Sequence, residues 1–346
     1  MCAEPLRSER RTARPLRLAL VGPGRWGRIL VESVQGLSQQ VHFTHAVARS
    51  PAKAADWCRA QDISLTADLQ AVLDNPEVDA VVIATPHSQH ADQIVAACQA
   101  GKHVFCDKPI ALNVADADRA IRAVRQAGVA FAPGHNRRFL PAIGKMKALI
   151  DAGVLGTLLH AEGNMSSHVG FGEVYTAEMW RVAPGESPAG GLAAAGFHIL
   201  DLMIHLVGPV VSVFAQTDRL VHTIEHDDTT HMLVRFDCRA TGYVATLTAT
   251  ARAFRLQIFG EKGWLELRGE TELTWQPVRG EAEHWRFPPV SMERLQLEAF
   301  ADAIRTQTAF PVSMPEVMNG IAAFEAVSAS ANAARPLPVA VFEAQA

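Results

Sequence analysis

A lysine beside an aspartate, placed where an apolar run stops, is the pair in this sequence best suited to moving protons. The run 103–106 (HVFC) leads into Asp107-Lys108-Pro109. A lysine that loses water at the mouth of a cleft has its pKa lowered toward the range where it can both take and give a proton, and Asp107 could orient such a site. Thr85-Pro86-His87 ends another apolar run, 79–84 (DAVVIA). Gly22-Pro23-Gly24-Arg25-Trp26-Gly27 has the spacing G-x-G-x-x-G. In a strand-to-helix turn, the first glycine allows the tight bend, the second lets backbone approach a pyrophosphate, and the third permits close helix packing. The bland alternatives are a glycine-rich turn without ligand and a surface lysine at a strand end.

These residues need elements to hold them. Residues 79–84 and 103–106 read as strands buried on both faces. Between them, 91–100 has apolar residues at helical spacing and ends at Gly101, so the three segments make one right-handed βαβ unit. Ligands of such sheets lie at the carboxyl ends of the strands, which places Thr85-Pro86-His87 and Asp107-Lys108-Pro109 on one crevice. Upstream, Leu16–Val21 is a strand and 25–37 a helix, with the glycine loop between them; 41–48 is a strand, 68–73 a short helix, 114–126 a helix and 129–132 a strand. Strands alternating with helices in this way define an α/β, doubly wound parallel sheet of six strands, the Rossmann arrangement, over 15–133.

The end of the 41–48 strand bears on which dinucleotide fits. An acidic residue there would hold the ribose 2′-hydroxyl of NAD, but the chain has Ala48-Arg49-Ser50, with Lys53 following. Nothing there repels a 2′-phosphate, and Arg49, Ser50 and Lys53 could bind one, so the expected cofactor is NADP, with NAD possible.

After residue 133 the character changes. A helix is expected over 136–152, a strand over 157–164, an irregular Gly-rich passage up to Gly191, and a helix over 193–207. Runs of β character follow at 210–217, 229–237, 240–251, 255–259 and 263–267, joined by short polar turns. This predicts a C-terminal α/β domain, 134–346, with an open, mostly antiparallel sheet, one face under helices and the other apolar enough to form a homodimer or homotetramer interface. Helices at 294–306 and 315–333 complete it, the last returning toward the first domain.

Composition narrows the classes. With 346 residues, 49% hydrophobic and 20% charged, the chain suits two globular domains. No apolar run is long enough to span a membrane. A net charge of −4 gives no footprint for nucleic acid and leaves a small polar molecule as the expected partner. Five cysteines without C-x-x-C spacing suggest reduced thiols in a cytoplasm. His87 and His90 have an i, i+3 spacing but no third ligand nearby, so no metal is expected. Residues 1–14 read as a disordered leader; Arg10-Arg11 lacks the apolar region that an export signal needs.

With these residues placed, the chain resembles the glucose-fructose oxidoreductase/inositol dehydrogenase/MocA family from about Leu16 to the C-terminus. The marks are the glycine loop, 79–86 followed by His90, Gly101-Lys102-His103-Val104, Asp107-Lys108-Pro109, Arg138-Phe139, Trp180-Arg181, and Gly190-Gly191 leading into Gly196-Phe197-His198 and Asp201. The resemblance implies nicotinamide-dependent hydride transfer on a sugar, cyclitol or related carbonyl or alcohol. It implies Lys108 and His198 as catalytic residues, with Thr85, Pro86, His87, His90, Asp107, Asn136, Trp180 and Arg181 around the cofactor; Trp180 reads equally well as core. One departure stands out: family members carry Asp four residues before the histidine, and here that residue is Ala194. On a continuous helix residues 194 and 198 share a face, so weak activity on ordinary hexoses and inositols and a better substrate with fewer hydroxyls are expected; a non-sugar such as a dihydrodiol or semialdehyde is the alternative substrate. A non-catalytic dinucleotide sensor is the alternative of another class, which retention of Lys108 opposes.

Overall fold

The computed structural model describes residues 14–168, 176, 178–183 and 185–343. The leader expected over 1–14 lies outside them except for Arg14, whose guanidinium pairs with Asp79 at 2.9 Å. Six parallel strands form the first sheet: Leu16–Val21 (β1), Val41–Val47 (β2), Ser64–Thr66 (β3), Ala80–Ile83 (β4), His103–Asp107 (β5) and Phe131–Gly134 (β6). Their order is β3-β2-β1-β4-β5-β6, so successive strands add to one side up to β3 and to the other from β4, and the switch between β1 and β4 opens a crevice there. Helices Arg25–Val34 (α1), Ala55–Ala60 (α2), Leu69–Leu73 (α3), His90–Gln99 (α4) and Val114–Ala127 (α5) connect the strands. The helix α1 stops three residues earlier than the apolar spacing suggests, because Gly36 takes the left-handed turn at φ +70° that ends it.

Pro141–Asp151 (α6) begins the second half, and the single helix expected over 136–152 is corrected here. A proline disfavours helical geometry in the residue before it, and Leu140 is extended at φ −68°, ψ 127°. Asn136–Phe139 is therefore a separate 3₁₀ turn.

Leu158–His168 (β7) follows, then Phe197–Val207 (α7), Val210–Asp218 (β8), Thr229–Phe236 (β9), Thr241–Leu247 (β10), Ala249–Gly260 (β11), Gly263–Arg268 (β12), Glu272–Pro277 (β13), Glu283–Arg286 (β14), Met292–Thr306 (α8), Met314–Ala333 (α9) and Leu337–Pro338 (β15). The second sheet runs β14-β13-β12-β11-β7-β10-β9-β8-β15, antiparallel at every pairing except β7 with β10. The expected strand 240–251 breaks at Thr248, whose N–H turns away to Asp228 O at 2.9 Å. The strand β13 and the two edge strands β14 and β15 escaped the sequence reading, being short and rich in polar residues.

Helices α8 and α9 both join the two halves. The helix α8 lies along the first sheet, with Phe300 against Phe105 at 6.1 Å and Arg294 donating to Ser33 O at 2.8 Å on α1. The last helix, α9, packs on β8, where its Asn319 bonds both N–H and C=O of Val210, and touches the first domain where Glu325 accepts from Val114 N at 2.8 Å. On the inner face of the second sheet α7 is pressed close: a Cβ at Gly163 would stand 2.2 Å from Ile199 Cγ2.

Candidate functional site

The glycine loop has the backbone that its spacing demands. Gly22 sits at φ +98° and donates to Val47 O at 3.0 Å, and a Cβ there would stand 2.8 Å from Ala84 O. A Cβ at Gly27 would meet Gly22 O at 2.3 Å. Around Gly24 nothing lies within 4 Å of a hypothetical Cβ, so open space adjoins the start of α1. That helix has no capping side chain and no acidic residue in its first turn, which leaves the N–H groups and positive dipole end available to a pyrophosphate. Arg25 is exposed and Trp26 half-buried against the core. Sequence reasoning missed Arg28, which lies over Trp57 at 5.1 Å and donates to Pro23 O and Lys53 O. It braces the glycine loop against the Pro51–Lys53 turn. Arg49, Ser50 and Lys53 are all exposed at the end of β2, and the neighbouring acid, Asp56, is paired with Arg59 at 2.9 Å.

The carboxyl ends of β4 and β5 carry the second group. Thr85 Oγ1 donates to Gln93 Oε1 at 2.6 Å, and Pro86 precedes the 3₁₀ turn His87–Gln89. His87 is buried, its Nδ1 bonded to Glu186 O at 2.9 Å and its ring edge-on to Trp180 at 4.9 Å. Burial, with His90 next in effect, holds the His87 imidazole well below its usual pKa, so it is neutral. Glu186 also bonds Ser88 N and Oγ, bringing the second half of the chain onto the crevice. Arg181 stacks over Trp180 at 4.3 Å, and Trp180 is half-buried.

His90 requires a correction. It is fully buried, with Nδ1 on Pro109 O at 2.8 Å and Nε2 on Thr85 O at 2.9 Å, so it has no polar atom to offer a dinucleotide. It ties the end of β4 to the turn after β5 instead. The Lys108-Pro109 peptide is cis. Among the described residues no three His, Cys, Asp or Glu side chains are grouped to hold a metal ion.

Facing these strand ends is the start of the helix expected over 193–207, where the structure corrects the reading again. Leu192–Gly196 is a π turn, and α7 proper begins at Phe197. Small residues permit this: a Cβ at Gly191 would stand 2.5 Å from Thr248 Cγ2, and one at Gly196 2.9 Å from Thr246 Cγ2. Lys108 is 7% exposed, and its Nζ donates to Ala193 O at 2.8 Å and Ala194 O at 2.7 Å. Burial brings the Lys108 amine down to about 8, against the pull of Asp107 and with the help of Arg181 and Arg137. Burial also pushes the Asp107 carboxyl up, opposed by Lys108 and His90. His198 is buried, and desolvation together with Lys108 and Arg137 keeps its imidazole well below the usual value and neutral. Arg137, absent from the sequence candidates, is 7% exposed. It lies 3.6 Å from Glu270 and over Phe254 at 6.0 Å, and its only signal in the sequence was the basic pair it forms with Arg138.

Asn136 donates to Glu293 Oε1 at 3.0 Å, while its Oδ1 is buried without a hydrogen-bond partner. Asp201 belongs to the frame and does not stand in for the missing aspartate. It accepts from Arg138 at 2.5–3.1 Å and bonds His135 Nδ1 at 2.6 Å. Arg138 also pairs with Glu316 at 2.9 Å.

An open glycine loop at a helix N-terminus and a buried lysine across the crevice from a second, mixed sheet define a two-domain dinucleotide-binding protein with acid–base capacity. Two family patterns match: "Oxidoreductase family, NAD-binding Rossmann fold" over residues 16–135, and the GFO/IDH/MocA C-terminal domain over 143–266. The chain belongs to the GFO/IDH/MocA oxidoreductase family. It is similar to the myo-inositol 2-dehydrogenase of Thermotoga maritima, 26% identical over 72% of this chain and 74% of that protein. To the oxidoreductase YrbE of Bacillus subtilis it is 32% identical over 40% of each, and the NAD(+)-dependent scyllo-inositol 2-dehydrogenase of the same organism is 34% identical over 43% of this chain and 44% of its own length. The chain thus matches less than half the length of two of these three relatives. The fold is shared with a levoglucosan dehydrogenase in complex with NADH and levoglucosan, at a TM-score of 0.85, 20% identity, and coverage of 94% of this chain and all of that one.

Replacing Asp201 by Asn removes the partner of a buried arginine. The loss is expected to cost about 3–5 kcal/mol of stability, read from denaturant unfolding. Arg138 and His135 hold the Asp201 carboxyl far below the usual carboxylate range despite burial. Its contribution is therefore complete above that range and lost only as pH falls through strongly acidic values, so the acid limb of stability should flatten in Asp201→Asn.

Proposed function

We propose that the protein oxidises a secondary alcohol, or reduces the corresponding carbonyl, of a sugar, cyclitol or related small molecule. The observation that carries this reading is Lys108: an amine brought to about 8 by burial, at the carboxyl end of β5 in the same sheet as the glycine loop, and bonded to the start of the helix from the second half. Relatives named as inositol dehydrogenases and a fold neighbour holding levoglucosan support the substrate class. When bound, a nicotinamide dinucleotide supplies the hydride acceptor or donor. The open space at Gly24 and the uncapped start of α1 fit its pyrophosphate. Asn136 Oδ1, a buried acceptor without a hydrogen-bond partner, fits an amide N–H donor.

The protein's own part is proton handling and positioning. For oxidation, the neutral Lys108 amine takes the hydroxyl proton as the carbon gives up hydride; for reduction, the ammonium returns it to the carbonyl oxygen. His198, kept neutral by its surroundings, orients the substrate oxygen by a hydrogen bond and adds no charge. Ala194 offers the substrate only a methyl group, which favours a ligand with fewer hydroxyls than an inositol. A dihydrodiol or semialdehyde remains the second substrate reading on that observation.

For the cofactor, Arg49, Ser50 and Lys53 favour NADP over NAD, because their exposed side chains surround the end of β2 with no free carboxylate between them. The outer face of the second sheet carries Phe214, Leu233 and Tyr243 as cross-strand neighbours, with Leu233 53% exposed. We propose that a second copy of the chain covers it. The free thiols, including exposed Cys238, favour a reducing, cytoplasmic setting. No described helix is long and apolar enough to cross a membrane.

The decisive experiment is Lys108→Met assayed with dinucleotide against a panel of inositols, anhydrosugars and small aldehydes. Turnover should fall by about 10²–10⁴ while the dinucleotide still binds, and unchanged kcat would refute the assignment. In wild type, the oxidation rate should rise with pH through about 8 and the reduction rate should fall over the same range. Arg49→Ala should weaken NADP binding by about ten- to a hundredfold and leave NAD nearly unaffected; equal loss for both would reject NADP preference. Leu233→Glu should reduce the mass measured by light scattering to that of a single chain, and an unchanged assembly would place the interface elsewhere.

A further inference from the structure

The amine of Lys108 is held by backbone from the opposite domain, and that arrangement decides where its proton can go. Its Nζ bonds the carbonyls of Ala193 and Ala194, both in the π turn Leu192–Gly196. A π turn carries one residue more than an α turn and recurs at functional sites, where it disturbs the regular pairing of carbonyls. Here the run Leu-Ala-Ala-Ala-Gly is pressed against Thr246 and Thr248 of the second sheet, with glycines at the two points of closest approach.

An sp³ nitrogen has three positions beyond Cε. In the neutral amine two are N–H bonds and one is a lone pair; in the ammonium all three are N–H. Two carbonyls at 2.7 and 2.8 Å accept the two N–H bonds of the neutral form. The lone pair is then confined to the third position, and no side chain among the described residues bonds the amine there.

We propose that the π-turn carbonyls of Ala193 and Ala194 are the positioning groups for Lys108, confining its lone pair, and after protonation its third N–H, to the single direction that faces the substrate. This rests on the acid–base reading of Lys108 and adds to it. The same position takes the proton in oxidation and returns it in reduction, without the side chain turning between the two half-steps. The base is also complete only when the two domains are together, since the lysine follows β5 and both carbonyls precede α7. The substitution of Ala at 194 leaves this function intact, because backbone and not side chain makes the bond.

The test is removal of the extra residue. Deleting Ala195 shortens the π turn toward an ordinary α turn and withdraws at least one carbonyl. With the full-length enzyme, kcat should drop about 10- to 100-fold while the KM for the dinucleotide is unchanged, as for a displaced catalytic group. The pH limb of kcat should move to lower pH, because a buried ammonium that loses acceptors is disfavoured. Of the charged and titratable groups facing Lys108, Asp107, His87, Arg137 and Arg181 lie outside the shortened turn, whereas His198 follows it and shifts with it; His198→Ala is therefore measured alongside, and a deletion variant no slower than His198→Ala with an unmoved limb would also overturn the proposal. A turn with only a structural role would lower the melting temperature and leave the limb where it was. A folded deletion variant with wild-type kcat and an unmoved limb would overturn the proposal.

A measurement on wild type serves if the deletion does not fold. With ¹⁵N-lysine and carbonyl-¹³C-alanine labels, scalar couplings across hydrogen bonds should connect Lys108 Nζ to both alanine carbonyls, and their absence would equally overturn it. Lys108→Met separates the two levels: if it retains turnover, the acid–base reading has failed. If it is inactive while the deletion variant behaves as wild type, only the positioning role has.

Discussion

The ion pair between Arg138 and Asp201 is the contact on which the crevice geometry depends. Arg138 follows β6 of the first sheet, Asp201 lies on α7, and Glu316, near the start of α9, completes the group. Both members of the central pair are almost without solvent. Two charges taken out of water at this depth are tolerated only when geometry is close and the remaining lone pairs and protons are met, as Glu316 and His135 do here. The position of α7, and with it the π turn and His198, is thereby referred to the Rossmann sheet and not only to the sheet on which α7 packs.

Around that frame the electrostatics of the crevice have one tendency: burial disfavours charge. Lys108, His87 and His198 are all lowered, and Asp107 is raised. The cationic neighbours Arg137 and Arg181 push the lysine in the same direction as burial, and only Asp107 opposes it. The outcome is an amine brought down to about 8, near two imidazoles that stay uncharged. Of these three nitrogen bases only the lysine is brought toward neutral pH, while both imidazoles are held uncharged.

Much of this was legible in the residue order. The parallel sheet followed from apolar runs alternating with helical spacing, and the glycine loop from a motif whose three glycines each answer a distinct steric demand. Lys108 could be singled out because it ends a buried strand at the side of the sheet where ligands gather. Less was legible after residue 133. The break before Pro141 was available from the restriction a proline places on its neighbour. The π turn was not, because Ala-Ala-Ala-Gly has the composition of an ordinary helix start, and it is Thr246 near the end of β10 and Thr248 just after it, both far along the chain, that it packs against.

The sequence by itself determined the fold class and the strand ends on which the candidate residues sit, because these depend on local spacing and on the period of apolar side chains. Tertiary structure alone decided which partners each candidate has. His90 and His87 are three residues apart and chemically identical, yet one is enclosed between Pro109 and Thr85 carbonyls while the other faces Trp180 and Glu186. Asp201 became a frame residue because Arg138 reaches it from 63 residues away. Burial and the partners brought by remote segments set protonation and hydrogen bonding, and neither is a property of a residue's place in the chain.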